Sequence, residues 1–237
     1  MANTFFKFKS FVIEQKDCAM KVTTDSCLFG AWIADQISDQ HHILDIGGGT
    51  GLLSLMLAQR NSDFNITSVE IEKNCFQQLK ENINQSTFAH QITPVHANIA
   101  DFKSTIKFNA IVSNPPFYEN QLKSDQSAVN QARHEESLSL KNLLEIVDAQ
   151  LDNNGVFYVL LPFYRKEETI QLAKQYGLNP SQITEVKQTT SHQPFRVMFR
   201  FEKTNQVSKQ NEITITDSNS NYSAAFVSLL KDYYLYL

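Results

Sequence analysis

The segment HILDIGGGTGLL, residues 42–53, holds the end of one element, a turn, and the start of another. His42–Ile46 is a short apolar run of the length and composition of a buried strand. From Thr50 to Arg60 the apolar positions Leu52, Leu53, Leu55, Met56 and Leu57 recur with helical spacing. Between them stand four glycines in five positions, Gly47, Gly48, Gly49 and Gly51. A strand that turns directly into a helix through glycines is the opening unit of a parallel α/β sheet.

The pattern continues outward. Strands are expected at Ile66–Ile71, Ile92–Ala97, Phe108–Ser113 and Val156–Leu161, and helices at Lys73–Asn84, Leu138–Leu151 and Lys166–Tyr176, the last capped by Gly177. Alternation of this kind predicts a doubly wound, mostly parallel sheet of seven strands, covered on both faces. Ile183–Gln188 and Arg196–Glu202 have no helix between them, so they are expected to pair antiparallel at one edge. Glu212–Thr216 alternates like an edge strand, and Tyr222–Tyr234 returns to a helical pattern. Residues 1–40 read as a cap with its own helix from about Thr24 to Gln36, residues 41–203 as the main α/β domain, and 204–237 as an extension of that domain.

A chain of 237 residues with 42% hydrophobic content can bury one good core. No apolar run approaches the ~20 residues of a membrane span, and the first residues lack the apolar core of a secretory signal. A cytoplasmic protein is expected. Cys18, Cys27 and Cys75 are widely spaced and form no CxxC, so reduced thiols are expected rather than a staple or a metal site. The net charge of −4 disfavours a protein that coats nucleic acid by bulk electrostatics, but leaves room for a local basic patch.

The glycine loop also indicates chemistry. Gly47, Gly49 and Gly51 let the backbone turn sharply and approach a ligand closely. Leu52 stands where a dinucleotide fingerprint has its third glycine. Asp45, just before the loop, would repel a pyrophosphate and suits a ligand carrying a cationic amine. Glu70 closes the second strand of the sheet, where a carboxylate accepts hydrogen bonds from the two hydroxyls of a ribose. Asn98, after the third strand, can both donate to and accept from an adenine edge.

The stretch FNAIVSNPPFYEN, residues 108–120, ends the fourth strand in Asn114-Pro115-Pro116-Phe117. Consecutive prolines hold the chain extended and remove competing backbone donors. The Asn114 side-chain oxygen and the Pro115 carbonyl can then face one exocyclic NH₂ group, while Phe117 offers a flat face to the ring that bears it. Two acceptors on one amine orient it and stabilise the positive charge that develops as it attacks an electrophile. No acid, base or metal is needed.

With these motifs the chain resembles the class I S-adenosylmethionine-dependent methyltransferases, in the Asn-Pro-Pro-aromatic branch that methylates planar amino nitrogens. Ala19-Met20-Lys21-Val22-Thr23-Thr24-Asp25 and Ala132-Arg133-His134-Glu135 narrow the likeness to the bacterial valine tRNA adenine-N6 methyltransferase family. The resemblance implies a Rossmann-like fold, S-adenosylmethionine as cofactor, and the anticodon stem-loop of a tRNA as partner, with adenosine 37 as target and no obligate protein partner. It implies Lys21, Thr24 and Asp25 in the cofactor pocket and Arg133 and His134 on the substrate side. At Asn98 the family more often carries an acid. The alternatives are methylation of a glutamine amide in a protein, methylation of guanine N2 in ribosomal RNA, and a catalytically silent binding module. The glutamine-modifying enzymes carry a longer N-terminal helical domain and a Tyr after the prolines.

Overall fold

The computed structural model describes residues 4–18, 20–37, 41–116 and 138–237. Its centre is a sheet of β3 (His42–Ile46), β4 (Asn65–Glu70), β5 (Ile92–His96), β6 (Phe108–Ser113), β7 (Leu151–Pro162), β8 (Asn179–Lys187), β9 (Arg196–Glu202) and β10 (Lys209–Thr214). The order across the sheet is β10-β8-β9-β7-β6-β3-β4-β5. β3 lies between β4 and β6, so the chain winds outward in both directions from the glycine-loop strand, as expected of a doubly wound fold.

Two details differ from the sequence reading. The sheet has eight strands rather than seven: the edge strand expected at Glu212–Thr216 is present as β10 and adds in parallel to β8. The antiparallel strand is β9, which lies inside the sheet with antiparallel partners on both sides, not at its edge. The hairpin reverses so that β9 fills the space beside β7, leaving β8 outside to receive β10.

Helices cover both faces. α1 (Thr24–Gln36), α2 (Leu52–Arg60), α3 (Lys73–Gln85) and α6 (Ala224–Leu230) contribute to one apolar cluster, with Ile43, Ala110, Val112 and Tyr158 from the strands. α4 (Leu140–Gln150) and α5 (Lys166–Gln175) build the other, against Leu44, Ile46, Ile111, Phe157 and Val159. Neighbouring strand residues go to opposite clusters, as the two-residue period of a strand requires. The helix starts are capped by side chains: Ser139 accepts from the Asn142 N–H, Ser223 from the Phe226 N–H, and Glu72 from the Asn74 and Cys75 N–H groups. Strand β7 begins at Leu151, five residues before its expected start, and absorbs the Asn153-Asn154-Gly155 turn as an irregularity in its pairing with β6.

The N-terminal segment forms a hairpin, β1 (Phe5–Lys7) and β2 (Val12–Glu14). Phe8, Phe11 and Ile13 are buried in the main cluster. Asn82 of α3 accepts the Glu14 N–H and donates to the carbonyls of Glu14 and Thr50, tying the hairpin to the glycine loop. Cys18 and Cys75 are joined as a disulfide with Cα atoms 4.8 Å apart, which corrects the expectation of reduced thiols. The sequence separation of 57 hid the pairing, which exists only because the hairpin folds back over α3. Cys27 is free and buried.

At the other terminus, Phe226 and Leu230 are fully buried in the same cluster as α1. Truncating Phe226 to Ala should therefore destabilise the whole protein, by about 3–5 kcal/mol. Urea unfolding checks this, with one cooperative transition expected at lower denaturant.

Candidate active site

Register brings the ends of four strands together. Ile46 pairs with Val69 of β4 and Ser113 of β6, and Glu70 pairs with His96 of β5. The glycine loop and the Asn114 segment therefore leave the sheet side by side.

The loop is fastened at several points. The N–H groups of Gly47 and Gly48 both donate to the Val69 carbonyl, at 2.9 and 3.0 Å. The Gly49 N–H donates to Glu70 Oε2 at 2.8 Å, and the Glu72 N–H donates to Glu70 Oε1 at 2.8 Å. From the other side, the Ser113 hydroxyl donates to the Ile46 carbonyl at 2.9 Å. Gly47 and Gly49 have φ of +77° and +56°, conformations that side chains rarely adopt. A Cβ on Gly47 would meet nothing within 4 Å, so the backbone there faces open space that a ligand can approach. Gly48 is the opposite case: its Cβ would fall 2.2 Å from the Ser68 hydroxyl. α2 starts after Gly51 with no side-chain cap, leaving N–H groups of its first turn for solvent or a ligand.

Asp45 is fully buried behind this loop. Its Oδ2 accepts from the hydroxyls of Ser54 at 2.6 Å and Ser68 at 3.3 Å, while Oδ1 has no partner. Burial is the main cause that pushes its carboxyl up to about 6; the two serines oppose the rise and the nearby Glu70 charge adds to it. Glu70 itself is 8% exposed at the rim. Each of its oxygens already accepts one backbone N–H and retains capacity for a ligand hydroxyl.

Asn114 emerges directly after Ser113. It is half-buried, and its Oδ1 is shut off from water without a hydrogen-bond partner. Pro115 is buried and Pro116 exposed. Phe117, Arg133 and His134 lie outside the described residues.

The remaining expected residues have local duties. Asn98 is exposed, and its Oδ1 accepts the Ala100 N–H in a turn. Lys21 donates to the carbonyls of Gln15 and Lys16. Thr24 is exposed at the first position of α1, where Thr23 is the cap. Asp25 accepts from Arg196 Nε at 2.7 Å, an ion pair that joins α1 to β9.

Several contributors escaped the sequence reading. Ser54 was signalled by being a lone hydroxyl inside an apolar helix, and Ser113 by directly preceding Asn114. Ile71, 48% exposed straight after Glu70, is an apolar face beside that carboxylate. Arg196 carried no local signal, since its partner is 171 residues away. Among the described residues, no group of three His, Cys, Asp or Glu side chains could hold a metal ion, and no helix is long and apolar enough to cross a membrane.

The buried carboxylate makes a pH prediction. Because the folded-state pKa of Asp45 is raised from 3.8 to about 6, its protonated form favours folding. That contribution is full below about pH 4 and is lost as pH rises through 6. The displacement corresponds to roughly 3 kcal/mol. In the cofactor-free protein, Asp45→Asn should raise Tm by a few degrees at pH 7.5, and the gain should shrink toward pH 5. Scanning calorimetry at both pH values checks it.

A family model, the methyltransferase small domain, matches residues 20–160. A tRNA1(Val) (adenine(37)-N6)-methyltransferase from Christiangramia forsetii is 36% identical across the whole of both chains. One from Dyadobacter fermentans is 37% identical over 98% of each. Among solved structures, a predicted O-methyltransferase from Agrobacterium tumefaciens superposes with a TM-score of 0.68, covering 87% of this chain and 95% of that one. At 13% identity, that likeness shows a common fold. The open glycine turn, the rim carboxylate and the unpaired amide oxygen thus sit in a chain that belongs to the methyltransferase small domain family, alongside the tRNA1(Val) (adenine(37)-N6)-methyltransferases.

Proposed function

We propose that this protein transfers a methyl group from S-adenosylmethionine to the N6 amino group of adenine in tRNA, at position 37 of a valine tRNA, within the anticodon stem-loop. The observation that carries the reading is Asn114 Oδ1, a buried acceptor with no partner at the sheet edge beside the glycine loop. A buried acceptor left unpaired costs about 1–3 kcal/mol. A substrate N–H removes that cost on binding.

The site fits the cofactor. Open backbone at Gly47 and Gly49 admits it closely, and Glu70 has two oxygens for ribose hydroxyls. Ile71 supplies an apolar face for the adenine ring of the cofactor. Asp45 contributes negative potential from behind the loop, which suits a ligand that carries cationic charge. Asn98 holds its turn through Oδ1 and keeps its NH₂ for the cofactor adenine. Lys21, Thr24 and Asp25 belong to the segment that leads from the hairpin into α1, and the family likeness assigns them to the cofactor pocket.

S-adenosylmethionine, when bound, supplies an electrophilic methyl group on a sulfonium. The protein's task is to present the target amine in line with it. Asn114 Oδ1 and the Pro115 carbonyl accept the two N6–H bonds and draw electron density onto the nitrogen. As the N–C bond forms, the same acceptors stabilise the positive charge on N6. The proton then passes to water, since an amide oxygen is too weak a base to keep it. By the family likeness, Phe117 would stack on the target adenine, and Arg133 and His134 would contact the substrate. An unpaired or flipped base is required, because the amine is inaccessible in a stacked duplex.

Asn114→Ala should lower the rate of transfer by about 10²–10³-fold, with cofactor affinity changed less than twofold. Single-turnover transfer to tRNA, alongside a calorimetric cofactor titration, measures both. Mass spectrometry of the digested tRNA should show N6-methyladenosine at position 37. Methylglutamine or N2-methylguanine as the product would move the reading to the corresponding alternative.

A further inference from the structure

Strand β7 overruns its neighbour at the active edge. Ser113, the last residue of β6, pairs with Val159, and β7 continues to Pro162. At about 3.3 Å per residue, the chain projects roughly 10 Å beyond the Ser113–Val159 row. It then turns through Phe163, Tyr164 and Arg165 in a single 3₁₀ turn before α5. Tyr164 is 69% exposed, so its ring is open to a partner from solution.

The turn beneath it is fixed. The Phe163 N–H donates to the Phe195 carbonyl at 3.1 Å, joining the turn to the start of β9. The Thr169 hydroxyl, fully buried, donates to the Arg165 carbonyl at 2.7 Å. Tyr164 therefore stands on a rigid support, in the turn that follows β7, the strand next to β6, whose end leads into Asn114.

Cations surround this ledge, and their ion pairs decide what it can recognise. Arg165 pairs with Glu168, Lys166 with Glu185, Lys187 with Glu212, and Arg196 with Asp25, at 2.7 to 3.1 Å. Each positive charge is matched by an acid. A phosphate clamp needs net positive charge, which these four pairs, among the described residues, do not supply. An exposed aromatic ring in a charge-balanced setting is suited to stacking on a nucleobase.

We infer that Tyr164 stacks on a nucleobase that flanks the target adenine in the unpaired loop, and so positions the RNA at the catalytic edge. The inference rests on the RNA reading proposed above and adds a residue that sets where along the loop the enzyme acts. Tyr164 is a positioning residue: it orders the neighbouring nucleotide, while Asn114 holds the reacting amine.

The test compares wild type, Tyr164→Ala and Tyr164→Phe. Binding of an unmodified anticodon-type RNA hairpin is measured by fluorescence anisotropy, and methyl transfer to the same hairpin is measured separately. Tyr164→Ala should weaken hairpin binding and raise KM about tenfold or more, with kcat at saturating RNA, cofactor affinity and Tm nearly unchanged. Tyr164→Phe, which keeps the ring and loses the hydroxyl, should restore binding. Equal binding by wild type and Tyr164→Ala overturns the inference, as does loss of binding in Tyr164→Phe or no binding by wild type. If wild type binds the hairpin in a Tyr164-dependent way but does not methylate it, the ledge stands and the adenine assignment fails.

Discussion

The glycine loop after β3 is held from both flanks. On one side, Glu70 at the end of β4 accepts the Gly49 N–H. On the other, the hydroxyl of Ser113 at the end of β6 reaches the Ile46 carbonyl. A loop of four glycines has more conformations to lose than any other sequence of its length, and these bonds select one. They also couple two functions. Glu70 shapes the turn and presents its carboxylate at the rim, while Ser113 fastens β3 and delivers Asn114 to the space beside the turn. Parallel pairing of β4, β3 and β6 makes both possible, because it brings three strand ends to the same edge.

The site stores unfavourable energy in two places. Asp45 keeps a carboxylate in the interior with one oxygen unpartnered, and Asn114 keeps an amide oxygen dry and unpaired. Both conflict with the usual pairing of buried polar groups. The two apolar clusters on either face of the sheet stabilise a chain that tolerates such features. Asn114 Oδ1 can pair with a ligand without first breaking an internal bond, which is the physical meaning of preorganisation here, whereas Asp45, sealed behind the loop, acts only through its charge.

Much of this was legible in the sequence, and the boundary is physical. The doubly wound order, the glycine turn, Glu70 and the Asn114-Pro115-Pro116 exit follow from local patterns: strand-helix alternation, glycines at a strand end, prolines after an apolar run. Long-range events were not legible. The Cys18–Cys75 disulfide, the Asp25–Arg196 ion pair and the interior place of β9 depend on how distant segments meet, and no local spacing encodes that. Ser54 and Ser68 belong to a middle class. Their hydroxyls look like ordinary polar residues until the sheet and α2 bring them against Asp45. The net charge of −4 disfavoured coating of nucleic acid by bulk electrostatics and left room for a local basic patch. Along the β7–β9 rim, among the described residues, Arg165, Lys166, Lys187 and Arg196 are each matched by an acid.

The central claim is that Asn114 Oδ1 is reserved for the amine that receives the methyl group. A crystal structure with S-adenosylhomocysteine and an RNA hairpin carrying the target adenosine tests it most directly. N6 is expected within about 2.7–3.2 Å of Asn114 Oδ1, with the thioether sulfur on the nitrogen's line of attack, across the space of the transferred methyl. An Asn114 amide bonded to the protein's own backbone, with the adenine amine held by other groups, would contradict it.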